Sequence, residues 1–469
     1  MSKIITDNIL LDSDVYKHTH WKMIPKNVKY AYAYQESRGV TDKGVPPETL
    51  VFGYQYYIKR YLEGKVITEE MITQAADMMK EIFGTDKYFN EHGWKYILEN
   101  YDGQLPIIIK AVPEGTVVPC HNILLSIQNT DPNVPWLTTF VETLLMRSWY
   151  PISVASTSFG IKRLIKKYQE KTGGSPMIDF HLNDFGSRGV SSKESAGIGG
   201  MSHLINFQGS DTIEAARYAK AFYNAGFVMA SVAATEHSET LLFGEEHEKE
   251  AYEHFIDTFP SGILSVVSDT YDINNAVDKI FGEELRDKIL ERDGRLVVRP
   301  DSGYPPHITV QVLKSLYKHF GGTNNAKGYI NLNPKVGVIY GDYIRYGMID
   351  DILAGMEKEG FSTDNVVFGM GGALLQQVNR DTFKFAIKNS ACADENEKWV
   401  GIAKNPISDP SKKSKKGRLQ LIQEDGKFRT QEYNYLHSDK DLLVPIFKNG
   451  KLLVEYDWED IRERAASFV

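Results

Sequence analysis

The 469-residue sequence predicts an α/β protein. A central barrel-like (β/α) domain is joined by a β-rich α+β domain built from both chain ends. Three observations carry this. Short apolar runs that end in polar or glycine residues, each followed by a helix-like segment, recur through the middle of the chain. Pro/Gly-punctuated β-like sequence lies towards the N-terminal end, at residues 105–131. Two hairpin signals lie near the C-terminal end. Alternating strand and helix implies a parallel sheet with helices outside, and this number of units would close a barrel with its site at the C-terminal ends of the strands.

The elements follow in order. Residues 48–100 read as helical. Within them "ITEEMITQAADMMKEIFG" has Thr68 as N-cap, an apolar face of Met71, Ala75, Met78, Met79 and Ile82, and Gly84 as its stop. The period then changes in "LPIIIKAVPEGTVVPCHNILLSIQNTD", which reads as strands. The most apolar window, Val134 to Val154, is interrupted by Glu142, Arg147 and Pro151, so it reads as a buried helix and then a strand rather than a membrane span. The central units are "MIDFHLNDFGSRG", "FVMASVAATEHS", "LSVVSDTYD", "RLVVRPDSG", "VGVIYGD" and "NVVFGMGG", with "PISVAST" and "FKFAIK" as possible flanking strands. "RLQLIQEDGKFRT" and "LLVPIFKNGKLLVEY" are hairpins turning at Asp425-Gly426 and Asn449-Gly450, and "DWEDIRERAASF" closes as a helix. The expected divisions are 1–148 for the N-terminal part, 149–389 for the barrel and 390–469 for the C-terminal hairpins and helix.

Composition narrows the function. Apolar residues are 42% and charged residues 25%, ordinary for a globular chain, and the net charge of −8 argues against general binding to nucleic acid or anionic membrane. Two cysteines, Cys120 and Cys392, are too few for a disulfide framework or a Cys-built zinc site and suit a reducing compartment. The opening "MSKIITDNILLDSD" lacks the long apolar stretch of a signal peptide, so a cytoplasmic setting is expected.

At the ends of the expected strands stand Asp184, Phe185, Arg188, His237, Asp269, Arg299, Asp301, Asp342, Gly369, Gly371 and Gly372. A barrel would bring them together. "FGMGGALLQQ" suits a phosphate held by backbone N–H groups and equally suits a tight strand–helix turn. Arg38, Arg380, Lys388, Lys404 and the run "SKKSKKGR" could complete an anion pocket, although such a run is more often an exposed loop. His237 reads locally as a capping residue at a helix start. Asp211 fits a helix N-cap and a ligand contact about equally. No clustered His/carboxylate motif supports a metal-dependent lyase or hydrolase.

The blocks "DSDVYKHTHW", "GWKYILENYDGQLPIIIKAVPEG", "NDFGSRGVSSKESAGIGG", "NFQGSDT", "AATEHS", "SVVSDTYDI", "RPDSG", "FGMGGALLQ" and "SKKGRLQL" closely resemble the nicotinamide phosphoribosyltransferase family of type II phosphoribosyltransferases, over nearly the whole chain. The resemblance implies transfer of the phosphoribosyl group of 5-phosphoribosyl 1-pyrophosphate to nicotinamide, in a homodimer with shared sites. Phe185 and the partner-supplied Tyr16 would sandwich the pyridine ring, and Asp211 and Arg299 would bind the carboxamide. Asp301, Gly341 and Asp342 would surround the ribose. Gly371 and Gly372 would hold the 5′-phosphate, with Arg38, Arg188, Arg380, Lys388 and Lys404 around the phosphates. His237 would be phosphorylated by ATP, a coupled co-substrate, with Asp269 as its hydrogen-bonding partner. Magnesium would bind through substrate phosphates. The sequence departs from the family pattern at Ser187, Asn183 and Ala386, where tyrosine, histidine and serine are expected, and in "ACADENEKWVG". The nearest rival is a nicotinate phosphoribosyltransferase; a different class is a non-catalytic binding or signalling protein on the same scaffold.

Overall fold

The computed structural model describes residues 7–42, 44–174, 177–408 and 413–469. Seven parallel strands form the central sheet: β1 (Leu182–Asp184), β2 (Gly209–Ser210), β3 (Ala233–Ala234), β4 (Ser261–Val267), β5 (Asp293–Arg299), β6 (Val336–Tyr340) and β7 (Val366–Met370). Their spatial order is β2-β1-β7-β6-β5-β4-β3, so consecutive strands are neighbours except β2 and β3, which stand at the two edges, and β7 pairs back on β1. A single parallel bridge between Gly209 and Ala230, just ahead of β3, spans the seam. The sheet is therefore barrel-like, and all its C-terminal ends open to one mouth. Leu264, Val266, Leu296, Val298, Val338, Val366 and Phe368 fill its core.

All six central apolar runs contain strands. β2 comes from "NFQGSDT", whose two paired residues are glycine and serine. It carries no apolar run and is held by neighbours on both sides rather than by its own side chains.

Two segments correct the sequence reading. Residues 48–50, expected within a helical stretch, form the short strand Glu48–Leu50 paired with Val117–Pro119. "PISVAST" is not a strand but the first turns of the 24-residue helix Trp149–Thr172. Pro151 stands in the first turn, where a missing N–H costs nothing. The helix lies between two cores. Ile152, Ala155 and Phe159 face the terminal domain, while Val154, Ile161, Leu164 and Ile165 face the barrel. Apolar demand on two sides erases the one-face pattern that marks an amphipathic helix. The Ser156 hydroxyl donates to the Ile152 carbonyl at 2.5 Å, which satisfies a buried polar group inside this helix. The rest of the Val134–Val154 window is also helical, over Leu137–Phe140 and Glu142–Met146.

The second sheet is antiparallel and takes strands from both ends of the chain. Its order is Trp399–Gly401, Ala386–Ala393, Tyr30–Glu36, Ile123–Asn129, Ile107–Ala111, Val444–Lys448 and Lys451–Leu452. "FKFAIK" thus enters a strand, but in this sheet rather than in the barrel. The hairpin turns fall where expected. Asp425 and Gly426 have φ of 50° and 74°, and Asn449 and Gly450 have 48° and 79°, the left-handed pairs of type I′ turns. Helix Glu69–Phe83 is capped by Thr68, which accepts the Met71 N–H at 3.2 Å. Its buried face is Ile72, Ala75 and Met79, with Ile82 half exposed, so the face is turned slightly from the one expected. The last helix, Trp458–Ala466, buries Trp458 and sends Arg462 to the Phe207 carbonyl (3.2 Å) and to Asp179 (3.1 Å), clamping the chain end onto the barrel.

Candidate active site

The turn after β1 shapes the mouth. Asp184 is fully buried, accepts the Gly186 N–H at 2.7 Å and lies 3.5 Å from the Ser210 hydroxyl. Burial pushes its pKa up to about 6. The Phe185 N–H donates to the Met370 carbonyl at 3.1 Å, fixing the residue at the end of β7. Its ring fills the space that glycine leaves at position 369, where a Cβ would stand 2.0 Å from Phe185 Cε2, and Gly341 borders the ring at ordinary contact distance. The Arg299 guanidinium lies 5.3 Å from the ring centre. Phe185, Arg299, Gly341, Gly369 and Gly371 are thus one assembly.

Charged groups continue from it. Arg299 Nη2 is 3.1 Å from Asp301 Oδ1, and the Asp301 N–H donates to Asp269 Oδ2 at 2.9 Å. The expected hydrogen bond between His237 and Asp269 is not formed. His237 Nδ1 lies 3.0 Å from the Thr270 hydroxyl, while Nε2 faces Asp301 Oδ2 at 3.7 Å and Asp269 Oδ1 at 3.9 Å. Asp269 already accepts from the Asp301 N–H and the Ser302 hydroxyl, and its Oδ1 is buried without a partner. His237 opens helix His237–Phe243, but the cap is Glu236, in a reciprocal capping box with Glu239. The imidazole is therefore free of capping duty.

Asp211 is not a cap either. Thr212 occupies the N-cap position of helix Ile213–Tyr223. The Asp211 N–H donates to the Asp184 carbonyl at 2.9 Å, and its carboxylate accepts the Ser231 hydroxyl at 2.5 Å across the β2–β3 seam. Asp342 is exposed after β6. Gly371 and Gly372 begin a single helical turn, Gly372–Leu375, against the Ser187–Gly189 turn. Arg188, 82% exposed, lies 3.6 Å from Glu236. Asn183 is bonded to the Phe368 carbonyl (3.2 Å), and Ser187 is exposed.

The remaining basic residues form a second cluster. A cavity of about 540 Å³ in the terminal domain is lined by Arg38, Arg380, Lys388 and Lys404, together with Lys384, Lys413, Lys415 and His121, and by Glu36, Glu142 and Asp381. Ala386 also lines it. Burial lowers the pKa of Lys388; Glu142 opposes this, and Arg38, Lys404 and Arg380 add to it. The "SKKSKKGR" run is thus partly a cavity wall through Lys413 and Lys415; Ser411 and Lys412 lie outside the described residues. Tyr16 is 59% exposed on the helical segment Val15–Lys22, where Lys17 pairs with the cavity-lining Glu142 at 2.8 Å. Among the described residues, its ring contacts His20 and not Phe185, and no barrel-mouth residue lines the cavity. Within the single chain the expected site is in two halves.

Residues 180–440 match the nicotinate phosphoribosyltransferase family model, and residues 8–109 match the nicotinamide phosphoribosyltransferase N-terminal domain. A nicotinamide phosphoribosyltransferase of Xanthomonas campestris pv. campestris (strain 8004) is 40% identical over 469 residues, covering 98% of each chain. The chain belongs to the nicotinamide phosphoribosyltransferase family. The chemistry of that family is phosphoribosyl transfer. A second relative, from Acinetobacter baylyi, carries the same name and is 33% identical over 490 residues, covering 97% of this chain and 96% of its own. The fold is shared with nicotinate-nucleotide pyrophosphorylase from Pyrococcus furiosus (TM-score 0.61, 17% identity, covering 100% of this chain and 97% of that one). It is shared also with human nicotinic acid phosphoribosyltransferase (TM-score 0.54, 15% identity, covering 97% and 93%).

Several residues of this candidate site carry little or no signal in the sequence. Thr270 follows Asp269 directly, and its hydroxyl type next to a strand-end carboxylate was the available signal. Lys413 and Lys415 were visible only as a charge run. Glu36, Lys384, Ser231 and Ser302 carry no local signal, since their positions follow from long-range pairing.

Proposed function

We propose that the protein transfers the phosphoribosyl group of 5-phosphoribosyl 1-pyrophosphate to nicotinamide, giving nicotinamide mononucleotide and pyrophosphate in NAD salvage. The observation that carries this reading is the Phe185–Arg299–Asp301 assembly, one aromatic plate with a cation and a carboxylate beside it. A flat pyridine ring stacks on Phe185, and Asp211 and Arg299 address its carboxamide. The pyridine nitrogen already has a lone pair, so the protein needs no base to create the nucleophile. Its work is to align ring and anomeric carbon and to stabilise the departing pyrophosphate.

The two-halved site supports a homodimer in which Tyr16 and the basic cavity of one protomer complete the barrel mouth of the other. Asp301 and Asp269, whose Oδ1 is buried without a hydrogen-bond partner among the described residues, would help hold a magnesium ion brought by the substrate. Such an ion supplies charge neutralisation for the pyrophosphate. ATP coupling through His237 is part of the proposal: with Nδ1 held by Thr270, Nε2 is the nitrogen left to accept a phosphoryl group. No helix among the described residues is long and apolar enough to cross a membrane. A cytoplasmic setting rests on the two unpaired cysteines.

The test is product analysis of the purified protein with 5-phosphoribosyl 1-pyrophosphate, magnesium and nicotinamide, with and without ATP. Nicotinamide mononucleotide and pyrophosphate in equal amounts are expected. Their absence from a folded preparation would leave the nicotinate-specific and the non-catalytic readings of the scaffold.

A further inference from the structure

We propose that Glu36 is a positioning residue for the polyphosphate of the phosphoribosyl donor, docking the basic segment around Lys415 and aiming Arg38 into the cavity. The inference rests on the reading of this cavity as half of the phosphoribosyl-transfer site. Its starting point is an oddity of charge. Seven lysines and arginines among the described residues line the cavity, yet at its wall stands a carboxylate whose side chain is only 4% exposed. By charge count alone that group lowers the potential an anion would meet.

Geometry gives it a different task. One oxygen, Oε1, accepts Arg38 Nε at 2.6 Å, and the other pairs with Lys415 Nζ. The Tyr34 hydroxyl lies 3.4 Å from Oε1 and accepts the Lys415 backbone N–H at 2.9 Å. Strand Tyr30–Glu36 therefore holds a segment nearly the whole chain away by a side chain and by the main chain. For Arg38 the consequence is orientation. A guanidinium is planar, so fixing Nε fixes the direction of its other donors. Among the described residues Arg38 Nη2 is buried and makes no hydrogen bond, although the Tyr34 hydroxyl stands close to the guanidinium. A buried unpaired donor costs stability unless it is met, and a phosphate oxygen meets it with a charge-assisted bond. Glu36 thus occupies the Nε side of Arg38 and leaves the Nη1/Nη2 end of the guanidinium for an anion.

The deciding experiment is binding of inorganic pyrophosphate to the intact protein by calorimetry at fixed ionic strength, in wild type, Glu36→Gln, Lys415→Met and the double variant. Glu36→Gln is expected to weaken pyrophosphate about tenfold, the loss of one well-placed charge-assisted bond. Lys415→Met should weaken it comparably, and the double variant should lose less than the product of the two, because both act through one contact. In turnover, KM for 5-phosphoribosyl 1-pyrophosphate should rise while KM for nicotinamide stays within about twofold. Tighter or unchanged pyrophosphate binding in folded Glu36→Gln would make Glu36 a neutralising group and overturn the proposal. If that variant does not fold, Glu36→Asp decides by the same readout: it keeps the charge and shortens the reach, so weaker binding supports positioning and unchanged binding overturns it. Wild type that binds no pyrophosphate would overturn the cavity reading and this role together. Binding without nicotinamide turnover would leave the role standing and sink only the transferase reading.

Discussion

Gly369→Ala tests whether the seating of Phe185 defines the pyridine site. A Cβ at this position would lie 2.0 Å from Cε2, 2.3 Å from Cδ2 and 3.0 Å from Cζ of Phe185. Ordinary carbon contacts begin near 3.4 Å, so the ring edge must retreat by about 1.4 Å. The backbone cannot follow easily, because the Phe185 N–H is tied to Met370 and the Gly186 N–H to Asp184. The ring therefore swings, away from its position under Arg299. Overpacking of this kind costs about 1–3 kcal/mol, and an aromatic stack is worth about 0.5–1.5 kcal/mol beyond its area. KM for nicotinamide should rise by roughly 5- to 50-fold, with KM for 5-phosphoribosyl 1-pyrophosphate within about twofold. Initial rates with each substrate varied in turn separate the two, and a thermal melt checks folding. A folded variant with unchanged nicotinamide KM, or with the loss on the phosphoribosyl donor instead, would refute the argument that this ring is the pyridine platform.

Three further outcomes are expected. Asp184, pushed up to about 6 from 3.8 by burial, holds its proton more tightly folded than unfolded. It therefore favours folding below about pH 4, and that contribution is lost as pH rises through about 6; Asp184→Asn removes the titration. The stability difference, wild type minus variant, should fall by up to about 3 kcal/mol over this window in urea melts, and a flat difference would contradict the burial argument. His237→Ala should retain transfer but lose both ATP hydrolysis and stimulation by ATP; stimulation equal to wild type would reject phosphoryl transfer at this imidazole. Chains carrying Tyr16→Ala, mixed with chains carrying His237→Ala and Asp301→Ala, should recover activity in the mixed dimer, where both lesions fall in one site and leave the other intact. No recovery after verified subunit exchange would mean that the sites are not shared.

The barrel was legible because four of its strands bury apolar runs, such as Leu296–Val298 and Val336–Tyr340, which local sequence displays directly. Gly209–Ser210 was not legible, since its pairing depends on Asn183 and Ala230 rather than on its own side chains. Helix Trp149–Thr172 was misread at its start because burial on two sides mimics the continuous apolar run of a strand. Strand-end residues such as Phe185 and Asp301 could be named from the pattern, but their partners could not. Thr270 on His237, Ser231 on Asp211 and Glu36 on Lys415 join positions separated by whole elements. The two-halved arrangement, with Tyr16 and the lysines in one place and Phe185 in another, emerged only from the packing.

The central claim, transfer to nicotinamide in preference to nicotinate, is tested most directly by competition. Equal concentrations of both pyridines meet limiting 5-phosphoribosyl 1-pyrophosphate, and the two mononucleotides are quantified by chromatography, for wild type and Asp211→Asn. A carboxylate on the substrate about 4 Å from Asp211 would cost on the order of 4 kcal/mol at an effective dielectric near 20, an amount that Arg299 partly offsets. The expected result is nicotinamide mononucleotide in at least roughly tenfold excess from wild type, with the ratio shifted towards nicotinate in Asp211→Asn. Nicotinate mononucleotide as the main product of wild type, or a ratio that Asp211→Asn leaves unmoved, would contradict the account.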